Sequence, residues 1–240
     1  MRILKRLRNL LLCVNALAFT VLLLAGGILA PSFSMRFFVW QFERNGTYAV
    51  LDMSETDLHY VARGTIDYLS LRRDSLADIR VTVGGAERYF YNYAEVCHMR
   101  DVWYLFRNGI YFTYIAGGMF VLTAVILLFT ERNKFQRLFS SVMSMWRGFA
   151  VATLIVMAVL GSLIFINFDR AFIVFHEMFF IDNWMFSPAD SLMINMLPTE
   201  FFMDISTVML SAILISMAFV ITAATILRKI ISAKEVKNAG

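Results

Sequence analysis

The chain is short of the residues that most soluble folds and most catalytic motifs are built from. Only 17% of its 240 residues are charged, against about 25% in an average soluble domain. That excludes a surface facing water on every side. Proline occurs three times and cysteine twice. No CxxC or HExxH spacing is present, nor a Gly-rich phosphate loop, nor a GxSxG elbow. The zinc-motif, nucleotide-binding and serine-hydrolase classes are therefore left without a motif. Internal repeats are absent as well. Lysine is missing from two long stretches, 31–108 and 169–204, and in both the acids outnumber the arginines. Histidine occurs only at His59, His98 and His176.

What is present is apolar. Hydrophobic residues make up 59% of the chain, and four runs (Leu10–Ala30, Gly109–Phe129, Gly148–Phe168, Ile205–Leu227) reach the roughly 20 residues that cross a hydrocarbon core. All five lysines lie in the N-terminal tail, the middle connector or the C-terminal tail. By the positive-inside rule these segments are cytoplasmic and the lysine-free ones face outward. The fold class predicted is an all-α integral membrane protein with four transmembrane helices, both termini cytoplasmic, and a small extracytoplasmic α+β cap. Its divisions are a tail at 1–9, spans at 10–30, 109–130, 148–168 and 205–227, the cap at 31–108, a cytoplasmic loop at 131–147, an outer motif segment at 169–204 and a tail at 228–240. The first run is too long for a signal-peptide core and no A-x-A site precedes Pro31, so an uncleaved anchor is expected. Cys13 and Cys97 fall on opposite sides of the membrane, which rules out a disulfide between them. The basic excess (pI about 9.2) meets anionic head groups and implies no nucleic acid.

Within the cap, the aromatic stretch Pro31–Gln41 is expected at head-group level. Ser54-Glu55-Thr56-Asp57 opens an amphipathic helix by a capping box, with Leu58, Val61, Ala62, Thr65 and Leu69 on its apolar face. His59 on that helix reads as a solvated or interfacial side chain. Ile79–Val83, Gly84-Gly85 and Glu87–Tyr91 predict a short hairpin. Tyr93–Arg107 returns to helical spacing and leads into the second span. Asn15 in the first span is a candidate for an interhelical hydrogen bond.

Two constellations stand out. Phe175–Asp204 carries His176, five acids (Glu177, Asp182, Asp190, Glu200, Asp204), Trp184 and two prolines, and no lysine or arginine. A plain connector would be shorter and rich in Gly, Ser and Asn. The second is Glu95, His98 and Asp101, whose i, i+3, i+6 spacing gives them roughly one helix face. A carboxylate one turn from an imidazole can hold the ring and raise its basicity. Both His98 and His176 fall at the outer edge of the membrane. Three roles fit: general acid–base catalysis; a metal site in which acids such as Asp101 or Asp182 join the two histidines; or a non-enzymatic partner-binding cap whose histidines are structural.

The same residues resemble the lipoprotein intramolecular transacylase (Lit) family, four-span membrane proteins of Gram-positive bacteria. The resemblance rests on Phe175-His176, Phe179-Phe180, Trp184, Pro188, Asp190-Ser191-Leu192, Pro198 and Phe201-Phe202-Met203-Asp204, and on Glu95, His98, Asp101 and Val102. Ser187 departs from an acid in the family pattern and Met193 from an isoleucine. The resemblance implies transfer of the sn-2 acyl chain of a diacylglyceryl lipoprotein to the α-amine of its N-terminal cysteine. It further implies a cell-membrane location, a lipoprotein substrate beside membrane lipid, and no cofactor or metal. In that reading His98 and His176 are catalytic, with Glu95, Asp101, Glu177, Asp182, Trp184 and Asp190 in support. No serine or cysteine nucleophile is required, because amine and ester sit on one molecule.

Overall fold

The computed structural model describes residues 2–180 and 184–239, with side chains described as far as Ala233. In chain order the elements are α1 (Arg2–Ser32), α2 (Met35–Asn45), α3 (Thr47–Leu51), α4 (Glu55–Leu69), β1 (Arg80–Val83), β2 (Ala86–Tyr89), α5 (Tyr93–Thr130), a short 3-10 turn (Arg132–Lys134), α6 (Phe135–Ile166), α7 (Phe168–Phe179), α8 (Leu192–Met196) and α9 (Thr199–Ala239). Helices α1, α5, α6 and α9 each hold a stretch long and apolar enough to cross a membrane, so the four-span expectation is met. The chain divides into two compact units: Met1–Ile28, Tyr111–Ser162 and Leu210–Gly240 form one, Leu29–Ile110 and Leu163–Met209 the other.

The first unit is a helical bundle whose outward faces are apolar, with Phe112, Ile115, Leu122 and Ile155 exposed, as suits side chains in contact with lipid. Inside, Phe19 stacks on Trp146 with centroids 4.0 Å apart, and Ala150, Ile213, Met217 and Val220 are buried together. Asn15 ties three helices as anticipated. Its amide donates to the Phe120 carbonyl (3.1 Å) and the Thr123 hydroxyl (3.0 Å) on α5, and its oxygen accepts from Trp146 Nε1 on α6 (3.1 Å). In hydrocarbon such polar groups have no water to turn to, so they pair with each other.

The second unit has its own core. Ser34 caps α2 through the Phe37 N–H, and helical spacing then turns Phe37, Phe38, Gln41 and Phe42 inward. Phe37 and Phe38 of the Pro31–Gln41 stretch pack against Phe201 of α9, so they serve the protein core, and among its rings Trp40 is the exposed one. Ser54 accepts from the Asp57 N–H, and all five residues of the predicted apolar face of α4 are buried. The Asp57 carboxylate accepts from the Ser54 hydroxyl, where a full capping box would have it reach the Ser54 N–H. Strands β1 and β2 pair antiparallel, Arg80 opposite Tyr89 and Val83 opposite Ala86. Gly84 and Gly85 between them have φ of 58° and 80°, the pair of positive values that a two-residue hairpin turn demands. An isolated hairpin is marginal; this one is anchored by Ile79, Val81, Phe90 and Tyr91, all buried, and by a 2.7 Å bond between the Tyr91 and Thr65 hydroxyls. Segment 169–204 is largely helical rather than a loop, carrying most of α7, all of α8 and the start of α9. Asp204 on α9 accepts from Gln41 Nε2 (2.7 Å) and Arg44 Nη1 (2.8 Å) on α2.

Candidate active site

The start of α5 sets the first histidine. Glu95 N–H donates to Asn92 Oδ1 (2.9 Å), and Asn92 N–H donates back to Glu95 Oε2 (2.7 Å). This reciprocal cap satisfies backbone donors that a helix start leaves free. His98 follows one turn later on the same side of the helix.

The second histidine is set by a helix break. Asn167 separates α6 from α7 and caps α7 through the Arg170 N–H (3.0 Å). His176 occupies the last turn of α7, with Nδ1 2.7 Å from the Phe172 carbonyl oxygen. A carbonyl can only accept, so Nδ1 carries a proton and the lone pair of the neutral ring lies on Nε2.

The two imidazoles face each other, centroids 6.0 Å apart and planes 19° from parallel. Phe180 stands edge-on to His98 at 4.9 Å and lies 5.3 Å from His176. Phe186 is 5.6 Å from His98; Trp184 and Phe172 are 4.9 Å and 4.1 Å from His176. Each histidine is only 7% exposed. Burial lowers the pKa of His176, and the bond to Phe172 opposes this in part, so at neutral pH the ring is uncharged. Among the described residues His98 Nδ1 is buried without a hydrogen-bond partner.

The carboxylates are placed differently from the sequence reading. Glu95 is 1% exposed, but its two oxygens accept from Asn92 N–H and from the Ser191 hydroxyl (2.5 Å); it does not hold His98 Nδ1. The proposed carboxylate–imidazole contact is corrected accordingly. Asp101 is half-buried farther along α5, while Glu177 and Asp190 are exposed. Asp182 lies outside the described residues. Trp184 does join the cluster. His59 bonds through Nε2 to the Tyr48 hydroxyl at 3.0 Å, a structural contact. Among the described residues no group of three His, Cys, Asp or Glu side chains converges on a metal-sized site. A cavity of about 490 Å³ opens beside Glu95, lined among others by Tyr91, Asn92, Tyr93, Asp190 and Leu192 but by neither imidazole.

Sequence reasoning missed Phe172 and Phe186, and it held Phe180 and Ser191 only as motif positions without a role. Phe172 could have been found as the residue four before His176 on a helix, where a ring nitrogen reaches the carbonyl of the preceding turn. The others are joined to the histidines only by the tertiary fold.

The profile of the family described as lipoprotein intramolecular transacylase Lit matches residues 13–202. The fold is similar to the in meso structure of the membrane integral lipoprotein intramolecular transacylase Lit from Bacillus cereus: TM-score 0.77 at 20% identity, covering 94% of this chain and 97% of that one. Structures of the same Bacillus cereus protein with one histidine replaced by arginine (TM-score 0.71, 19% identity, covering 100% and 97%) or by alanine (0.70, 20%, covering 95% and 96%) are similar as well. No curated protein sequence matches the chain at a significant level.

Proposed function

The chain belongs to the lipoprotein intramolecular transacylase family and is a multi-pass membrane acyltransferase, and from that premise we propose that it moves the sn-2 acyl chain of a diacylglyceryl lipoprotein to the α-amine of the N-terminal cysteine. The product is a lyso-form lipoprotein, N-acylated and left with a monoacylglyceryl thioether. The observation that carries this reading is the facing pair of buried imidazoles in an aromatic enclosure, His98 and His176.

In this mechanism His176 is the base. Its Nδ1–H is held by the Phe172 carbonyl, which leaves Nε2 to take the proton that the cysteine amine sheds as it attacks the ester carbonyl. A C–N bond forms and the C–O bond to glycerol breaks. Because an alkoxide is a poor leaving group, the departing oxygen takes the proton that the imidazole pair has just received from the amine, and His98 is the ring assigned to hand it on, so that both rings end neutral as they began. Protons balance: one leaves nitrogen and one arrives on the glycerol oxygen. The surrounding Phe172, Phe180, Trp184 and Phe186 keep water from the ester, so that amine outcompetes hydrolysis. The lysine distribution supports a site at the outer face of the cell membrane in this reading.

The deciding experiment is mass spectrometry of one lipoprotein's N-terminal lipopeptide from cells with and without this protein. Conversion to the N-acylated lyso form only in its presence is the expected result; an unchanged lipopeptide overturns the reading. A chelator arm is expected to leave conversion intact.

A further inference from the structure

Outside the imidazole pair, one buried polar contact has no part in the chemistry described above. Ser191 is 3% exposed and Glu95 1%; the Ser191 hydroxyl donates to Glu95 Oε1 at 2.5 Å, and the same hydroxyl accepts from the Ile194 N–H at 3.1 Å. The other Glu95 oxygen is taken by the Asn92 N–H at 2.7 Å. This arrangement joins two parts of the chain that lie far apart in sequence. On one side is the first turn of α5, which carries His98 one turn later. On the other is the end of the segment 184–191, an aromatic strap that brings Trp184 against His176 and Phe186 against His98.

We propose that the Ser191–Glu95 hydrogen bond is a clasp that fixes the spacing of the two imidazoles, and that Ser191 is a positioning residue for the transfer reaction. The proposal rests on the function assigned above. Ser191 touches neither histidine; it pins the end of the aromatic strap to the helix that carries His98. The strap covers both rings, so its looseness is felt at the reacting atoms. Misplacement of a reacting group by about 1 Å can lower a rate by about 10²-fold. A buried carboxylate deprived of its donor also has reason to turn elsewhere, because an unsatisfied buried acceptor is unfavourable.

The test measures kcat and KM for conversion of a synthetic diacylglyceryl lipopeptide by the full-length protein in detergent or lipid. Ser191→Ala is compared with Ser191→Thr, which keeps the hydroxyl. The expected result is a drop in kcat of about 10- to 100-fold for Ser191→Ala, with KM within about threefold and kcat largely restored in Ser191→Thr. Glu95→Gln leaves one acceptor oxygen for the two donors now bonded there and so weakens the same contact, and combined with Ser191→Ala it is expected to lower kcat hardly further than the worse single change, since coupled partners are not additive. Should Ser191→Ala fail to fold, the kcat of Glu95→Gln decides alone. Wild-type kcat in folded Ser191→Ala, or an Ala defect that the Thr variant shares in full, would overturn the clasp. A wild-type protein that converts no lipopeptide refutes the function itself, which is a different failure.

Discussion

His176→Asn separates the two nitrogens of one ring. The asparagine side-chain amide reaches the place of Nδ1 and can still donate to the Phe172 carbonyl, which now receives a 2.7 Å bond from the histidine. Nothing remains at the place of Nε2. The local fold should therefore survive, with one hydrogen bond kept and one half-ring of packing against Phe172 and Trp184 lost. That loss amounts to roughly 1–2 kcal/mol of stability, the range for removing part of a buried side chain. The catalytic effect is larger. A positioned general base contributes about 10²–10⁴-fold in rate, which at 1.36 kcal/mol per decade is about 3–5 kcal/mol of barrier. The assay is single-turnover conversion of a diacylglyceryl lipopeptide followed by mass spectrometry, beside a thermal melt of the same preparation. His98→Gln, which keeps a polar atom near the place of Nε2 and loses the ring, is the companion variant. A folded His176→Asn within about threefold of wild-type rate would refute Nε2 as the base, and if His98→Gln also turned over normally the imidazole pair would have no role.

The pH response follows from the burial of His176, which lowers its pKa. The unfolded chain takes up a proton there as pH falls through about 6.5, while the folded chain does so only at lower pH; the unfolded state then binds more protons, so stability falls with pH below about 6.5. A melt at about pH 5.5 should lose more against pH 7.5 in the wild type than in His176→Asn. Since the ring is already neutral near pH 7, the rising limb of the rate should instead follow the substrate's amine, with a pKa of about 8; a limb near 6.5 would contradict this. Asn15→Leu leaves the Trp146 N–H and the Thr123 hydroxyl without their shared partner and should destabilise the bundle by about 1–2 kcal/mol, read from thermal unfolding in detergent. A Cβ at Gly27 would lie 2.5 Å from Ile213 Cγ1, a methylene that moves only by turning χ1, which is stiff for isoleucine in a helix, so Gly27→Val should lower stability by about 1–3 kcal/mol in the same melt; an unchanged midpoint would show that the helices separate freely there.

The spans, the α4 face and the hairpin were legible because each depends on a local rule. A run of apolar residues, a 3/4 spacing and a Gly-Gly turn act over a few positions, and no distant partner is needed to produce them. The packing of the stretch from Pro31 to Phe42 was not legible for the converse reason. Phe37, Phe38 and Phe42 look the same whether a membrane interface or a protein core receives them, and the receiving surface, including Phe201, comes from the far end of the chain. The site shows the same division. His98 and His176 were conspicuous because histidine is rare in an apolar chain, and motif likeness paired them. The direction in which Glu95 turns was not readable: helical spacing allows a carboxylate to reach the histidine one turn on, but the cap bond from Asn92 and the donor from Ser191 claim both oxygens first.

That redirection bears on how the reaction is driven. A carboxylate on His98 would favour its imidazolium, whereas among the described residues Nδ1 has no partner and the ring faces a second imidazole 6.0 Å away. Two positive charges at that separation repel by roughly 3 kcal/mol at an effective dielectric of about 20, so the pair is built to hold one proton, not two. One is what the proposed transfer needs: in it the proton passes from the attacking amine to the departing glycerol oxygen without release to solvent. A pair stabilised as two imidazolium ions could not accept the amine's proton, and a pair held by carboxylates would give it up less readily to the leaving group. The aromatic enclosure acts in the same direction, since it disfavours charge on either ring at rest. In the proposed mechanism the protein lowers the barrier by keeping both rings neutral, close and dry, and leaves the joining of amine to ester to the substrate's own connectivity.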